Sequence, residues 1–267
     1  MESMKVTSVC IQSVVGDIEG NKSRIIDAIG SSSKEEPDLI LFPELSLTGY
    51  SMPASSGYSL SMDSPVVGEI VDCACDNSCI VSFGMVDDAG HISQVVTENG
   101  RIIGTYNKTH LGNRESNVMR PGDSLDVIRT SKCNLGIQIC WESHFSDITR
   151  TYAMRGADLV LMPHASPLSG QRRKSVWDRI VPARCNDNVV FAMLCNSSGE
   201  NGCGSSFGGG ASIVDPRGNI IGEDYSPEGS VTVEIDPCEM EMIRSGTSES
   251  MRDTYFLNRR RPELYES

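Results

Sequence analysis

The sequence predicts a layered α/β domain built from two similar halves, and two observations carry that prediction. Short runs rich in Val and Ile, bounded by Gly, Pro, Asn and Asp, alternate with segments of helical periodicity, the pattern of strands joined by crossover helices. The stretch "PDLILFPELSLTG" at 37–49 is echoed by "ADLVLMPHASPLSG" at 157–170, and "GRIIG" at 100–104 by "GNIIG" at 218–222, both offset by about 120 residues. Two matches at nearly one offset point to a pseudo-symmetric pair of sheet-and-helix halves. No Pro/Gly/Ser-rich linker separates them, so residues 1–267 are expected to share one core as a single domain.

The elements follow in order. Strands are expected at 4–11, 38–43, 79–86, 92–97, 101–106, 125–130, 134–139, 158–163, 189–195, 210–214, 219–223 and 230–235. Helices of about three turns are expected at "NKSRIIDAIGSSS", "PVVGEIVDCACDN", "FSDITRTYAMRGA" and "SVWDRIVPARCNDN"; the third has a Ser or Asp start and a Gly stop. Asn99 and Gly100 supply the positive φ angles of a type I′ hairpin turn, and Pro216 with Gly218 marks a second tight reversal. Residues 237–267 read as a C-terminal tail used in oligomer contacts.

Composition narrows the function. At 267 residues and 39% apolar the chain buries a sizeable core. A net charge of −13 argues against a broad phosphate-binding surface, so neither nucleic acid nor membrane is an expected partner. The N-terminal apolar run is too short and polar for a signal peptide, and nowhere do about 18 apolar residues run uninterrupted. A cytoplasmic location is therefore expected. In a reducing compartment the ten cysteines are thiols rather than a disulfide framework.

Three residues could carry chemistry. Cys140 ends the strand pattern "NLGIQIC" just before a helix pattern, where unpaired N–H groups favour a thiolate; it is either a nucleophile or a packing thiol. Glu44, at the end of "DLILFPEL", is delivered to the C-terminal edge of a buried strand, where α/β sheets bind ligands; it is either a general base or a loop carboxylate. Lys108, in "GTYNKTHL", follows a hairpin strand and is otherwise an ordinary surface lysine. Together they cover what amide hydrolysis by a thiol requires: a base, a nucleophile and a positive charge for the oxyanion.

"LFPELSLTGY", "YNKTHL" and "GIQICWESHF" resemble, in order and spacing, the three signature segments of the nitrilase (carbon–nitrogen hydrolase) superfamily, amidase/carbamoylase-like branch. "ESNVMRPGD", "RGADLVLMPHASP", "PARCNDNVVFAMLCNSSG" and "RRRPELY" extend the resemblance over essentially the whole chain. It implies a four-layer αββα sandwich with Glu44 as general base, Cys140 as nucleophile and Lys108 as oxyanion partner. The backbone N–H of Trp141 would assist, and Glu115 would orient Lys108 and the substrate. The implied reaction is hydrolysis of a small nonpeptide amide or N-carbamoyl compound through a thioester, releasing ammonia or an amine, without metal or organic cofactor. A homodimer or larger homo-oligomer is also implied. Nitrile hydrolysis at the same site, or a catalytically silent ligand-binding member, are the alternatives. "FSD" departs from the usual "FPE", with Ser146 and Asp147 in place of Pro and Glu, which puts the helix start and pocket wall in doubt.

Tyr50, Glu142, His164 and Trp177 are expected to shape the substrate pocket. His144 or His164 could serve as base to Cys140 in a competing Cys–His arrangement. His110 reads as a support for the lysine loop. "CACDNSC" at 73–79 lacks a second ligand pair and is not expected to hold zinc. The run "QRRKSVWDR" is either a solvated face or a clamp for a substrate carboxylate through Arg172, Arg173 or Lys174.

Overall fold

The computed structural model describes residues 1–265. The first half supplies β1 (Met4–Val9), β2 (Leu39–Leu41), β3 (Ile80–Val86), β4 (Ile92–Glu98) and β5 (Arg101–Asn107), with helices α1 (Ile18–Ser32) and α2 (Pro65–Asp76). The second half supplies β6 (Ile128–Arg129), β7 (Asn134–Ile137), β8 (Leu159–His164) and β9 (Phe191–Asn196), with α3 (Ser146–Met154) and α4 (Gly170–Asn188). A hairpin of β10 (Ser198–Glu200) and β11 (Ser206–Gly208) follows, then β12 (Ala211–Val214), β13 (Ile220–Asp224), β14 (Ser230–Ile235) and α5 (Cys238–Ser245).

Two six-stranded sheets result, ordered β14-β1-β2-β3-β4-β5 and β13-β12-β9-β8-β7-β6. Each has a parallel centre, β1-β2-β3 in one and β7-β8-β9 in the other, continued by two antiparallel strands on one side and by one, β14 or β6, on the other. The sequence echo maps onto this repeat, because β2 corresponds to β8 and β5 to β13.

Strand alternation builds the layers. Leu39 and Leu41 face Leu159, Leu161 and Met193 in a core between the sheets. Their neighbours Ile40 and Phe42 face outward onto Ile25 and Ile29 of α1 and Val67 and Ile70 of α2. Val160 and Met162 likewise meet Trp177, Val181 and Cys185 of α4. The arrangement is the expected αββα sandwich.

Three local expectations need correction, and one element is additional. The strand at 125–130 shortens to two residues, because Leu125 and Val127 pack on the core without joining the ladder. The β10-β11 hairpin carries little strand propensity and was not foreseen. Helix α4 starts at Gly170, five residues before the expected 175, where the Ser169 hydroxyl accepts the Arg172 N–H at 3.4 Å. Residues 238–245 are a docked helix rather than tail: Met240 and Ile243 are buried, and Arg244 donates to Asp158 Oδ1 at 2.8 Å and to the carbonyl of Ala157 at 2.7 Å. Of the expected 237–267 tail, residues 266 and 267 lie outside the described residues. Among the described residues no helix is long and apolar enough to cross a membrane.

Candidate active site

The site assembles where chain segments leave the sheets. Glu44 lies three residues beyond β2, Lys108 one beyond β5 and Cys140 three beyond β7, with Glu115 on a short 3-10 turn between the last two. Close approach holds the Glu44 segment. A Cβ on Gly84 of β3 would sit 2.3 Å from the Leu45 nitrogen, so only glycine lets β3 run this near. In that space the Gly84 N–H donates to Ser46 Oγ at 3.0 Å, and its carbonyl accepts the Leu47 N–H at 2.9 Å.

Glu44, Lys108 and Glu115 form a buried array. Lys108 Nζ donates to Glu44 Oε1 at 2.7 Å and to Glu115 Oε1 at 2.8 Å. Glu44 Oε2 accepts the Ala165 N–H at 2.9 Å, so both oxygens of that carboxylate are held. Glu115 is fixed by the Tyr50 hydroxyl at 2.8 Å and the Gly112 N–H at 2.7 Å. An ammonium has three donors, and two of them are spent on these carboxylates.

Burial sets the electrostatics. Desolvation pushes the Glu44 carboxyl up to about 7 against the opposing pull of Lys108. Burial by itself would lower the Lys108 ammonium, but Glu44, Cys140 and Glu115 outweigh it and hold the amine protonated. Burial, then the Glu44 charge, pushes the Cys140 thiol up to about 12, with Lys108 and Arg173 pulling the other way. The resting pair is thus a neutral thiol beside a carboxylate able to take its proton.

Cys140 has φ +50°, a left-handed conformation uncommon for a side chain with a Cβ. It opens the 3-10 turn Cys140–His144 at the sheet edge. The adjacent cleft, about 250 Å³, is lined among others by Tyr50, Glu115, Cys140, Trp141, His164 and Arg173. That is below the usual range for drug-sized ligands, about 300–1,000 Å³, and suits a small molecule.

The expected pocket residues divide. Tyr50 and His164 line the cleft; Glu142 and Trp177 do not. The Glu142 carboxylate is buried and accepts five donors: Thr109 N at 2.8 Å, Thr109 Oγ1 at 2.7 Å, His110 N at 3.0 Å, Tyr106 Oη at 2.7 Å and Ile139 N at 2.7 Å. It pins the segment after Lys108 to the segment carrying Cys140, and has no capacity left for substrate. Trp177 is buried behind His164, donating its indole N–H to Nε2 at 3.2 Å.

The same bond removes His164 as a base. Indole N–H is donor only, so Nε2 accepts, and Nδ1, 2.8 Å from the Met162 carbonyl, must carry the proton. Burial, helped by the Arg173 charge, holds the ring neutral, well below the usual imidazole range. His110 is hydrogen-bonded to Thr109 at 2.8 Å and stacked on Phe145, as a support for the lysine loop. Asn196 escaped notice as an individual residue: it accepts from the Ser166 N–H at 2.9 Å and donates to the Ser166 and Gly209 carbonyls, bracing the cleft wall. Only its place in the "CNSSG" segment signalled it. Of the basic run, Arg173 is buried in the cleft wall, whereas Lys174 pairs outside with Glu223 and Asp178. Among the described residues no group of three His, Cys, Asp or Glu could hold a metal ion.

A thiol set against a buried carboxylate and ammonium, at the meeting edges of two α/β halves, is the constellation of a cysteine-dependent hydrolase. The carbon–nitrogen hydrolase family model matches residues 5–245, and the chain belongs to that family of enzymes. It is 26% identical to a probable nitrilase of Schizosaccharomyces pombe, over 98% of both chains. It is 27% identical to an (R)-stereoselective amidase of Pseudomonas sp., over 90% of this chain and 88% of that protein. A solved mutant of the amidase from Nesterenkonia sp. AN1 superposes with TM-score 0.83 at 25% identity, covering 98% of this chain and 95% of that one. That structure shows covalent addition of the acetamide moiety of fluoroacetamide at its active-site cysteine.

Proposed function

We propose that this enzyme hydrolyses the carbon–nitrogen bond of a small nonpeptide amide or N-carbamoyl compound through a thioester at Cys140. The observation that carries the reading is the closed Glu44–Lys108–Glu115 array beside a thiol at the mouth of a small cleft. The amidases among the similar proteins, and the cysteine adduct in one of them, support it.

Glu44 takes the thiol proton as sulfur bonds to the carbonyl carbon, and the carbonyl electron pair moves onto oxygen. The free donor of Lys108 and the backbone N–H of Trp141 receive that oxyanion. Collapse breaks the carbon–nitrogen bond, and Glu44 returns the proton to the departing amine. A water then gives its proton to Glu44 and attacks the thioester; the second collapse releases the acid, and the thiolate recovers the proton from Glu44. Glu115 holds Lys108 in place throughout, so the ammonium is already oriented when charge develops.

A panel of amides, ureido acids and nitriles tests this, with ammonia release as readout and mass spectrometry of Cys140 for the trapped thioester. Amides or ureido acids should be turned over with a Cys140-linked acyl intermediate. Turnover of nitriles alone, or no adduct at Cys140 with any substrate, overturns it.

The same reading takes the protein as a cytoplasmic homo-oligomer. All ten cysteines are free thiols, and Met154, Phe256 and Tyr265 leave apolar surface exposed near α3 and the chain end. Light scattering after gel filtration should give a mass of at least two chains; a monomer at micromolar concentration rejects the assembly.

A further inference from the structure

Arg173 is the charged group the mechanism does not use. It sits in the first turn of α4 with 5% of its surface exposed and lines the same cleft as Cys140. Its fork is mostly unspent. One Nη2 hydrogen goes to Ser166 Oγ at 2.7 Å, the guanidinium lies over the Trp177 ring at 5.5 Å, and Nε is buried with no hydrogen-bond partner. Among the described residues no carboxylate lies within ion-pair distance of it. Lys108, by contrast, has two.

A buried guanidinium without an acid beside it is costly, because desolvation is repaid only by a well-placed counter-charge and filled hydrogen bonds. The planar fork is matched to a carboxylate, which can accept two parallel N–H donors. The cleft, about 250 Å³, places any such anion within a small molecule's length of Cys140.

We propose that Arg173 is an anion subsite that receives a carboxylate on the substrate, so that the preferred substrate is a small amide carrying a free carboxylate, such as the monoamide of a short dicarboxylic acid. This rests on the amide-hydrolase reading above. Ser166 orients the fork and the Trp177 ring packs against it, while the N–H donors not spent on Ser166 are left for the anion.

The experiment uses the full chain with Cys140→Ala, in which binding is separated from turnover. Succinamate and glutaramate are titrated calorimetrically beside uncharged isosteres in which a methyl ketone replaces the carboxylate. The acid should bind about 100-fold tighter than its isostere, and adding Arg173→Met should erase that difference. Arg173→Lys, which keeps the charge without the fork, should retain an intermediate preference. Equal binding of acid and isostere in the Cys140→Ala protein overturns the proposal without needing any Arg173 variant. So does a preference that survives Arg173→Met.

In the otherwise native enzyme, Arg173→Met should lower the acid-to-isostere ratio of kcat/KM by about the same factor. An equal loss on both substrates would show that Arg173 only balances charge around Glu44 and Cys140, and would likewise overturn it. If the acids bind through Arg173 yet release no ammonia from the native enzyme, the subsite stands and the amide reading falls.

Discussion

The ends of β2 and β8 are the same piece of architecture carrying different chemistry. Asp38 and Asp158 open the two strands, and each carboxylate accepts a backbone N–H from the neighbouring strand, Lys5 at 2.8 Å and Asn134 at 3.0 Å. Their carbonyls accept Ile80 N–H and Phe191 N–H at 2.8 and 2.9 Å. Six residues on, the halves part. Glu44 meets a lysine and a thiol and is left able to exchange a proton. His164, its counterpart, has both ring nitrogens tied and stays neutral. A repeated scaffold therefore offers two strand ends, and only the partners supplied by other loops make one of them a base.

That contrast can be broken from either side. The largest effect belongs to the nucleophile that follows β7: Cys140→Ala should lower turnover by roughly 10⁴-fold or more while the melting temperature holds. Unchanged ammonia release would remove Cys140 from the chemistry. Glu44→Gln keeps the shape but not the proton transfer, and should cost about 10²- to 10⁴-fold in kcat. The native pH profile should show the same group. Glu44 acts as base only when ionised, so kcat/KM on an uncharged amide should be full above pH 7 and fall as pH drops through about 7. Glu44→Gln should abolish that acid limb in the residual rate; a limb persisting near 7 would assign it to another group.

Glu142→Gln tests the pin rather than the chemistry. With the charge gone, the Thr109, His110 and Tyr106 donors keep only a neutral amide oxygen and the Ile139 N–H faces an amide nitrogen that cannot accept, costing about 2–3 kcal/mol of stability. Turnover should fall by about tenfold or more as Lys108 loses its register, with the acid limb unmoved. The smallest effect is expected at the silent strand end. His164→Gln should reduce kcat by about tenfold or less and leave the pH profile in place, because the ring neither gives nor takes a proton. A loss matching that of Glu44→Gln would restore the Cys–His reading.

Much of this was legible in the residues. The short apolar runs in "DLILF" and "DLVLM" located both central strands, whose two faces then follow from side-chain alternation. Asn99 and Gly100 take positive φ at 50° and 71° as the hairpin requires. Glu44, Lys108 and Cys140 were found as separate strand-end residues and joined through family resemblance. Glu142 stands two residues from Cys140 and Trp177 has the aromatic bulk to shape a pocket, yet both turn inward. The stretch Cys140–His144 is a 3-10 turn that buries Glu142 and leaves Trp141 exposed.

By itself, then, the sequence determined the layers, the two halves and the residues able to do the chemistry, because strand alternation and turn preference are local properties. Tertiary structure decided which groups are chemically free. Glu44 is raised by burial and held by Ala165, 121 residues away, Glu142 is saturated chiefly by donors such as Thr109, 33 residues away, His164 is silenced by burial and by Met162 and Trp177, and Arg173 is left unpaired in the cleft wall. Charge stabilisation depends on what surrounds a group after folding, and desolvation has no signature in a one-dimensional pattern.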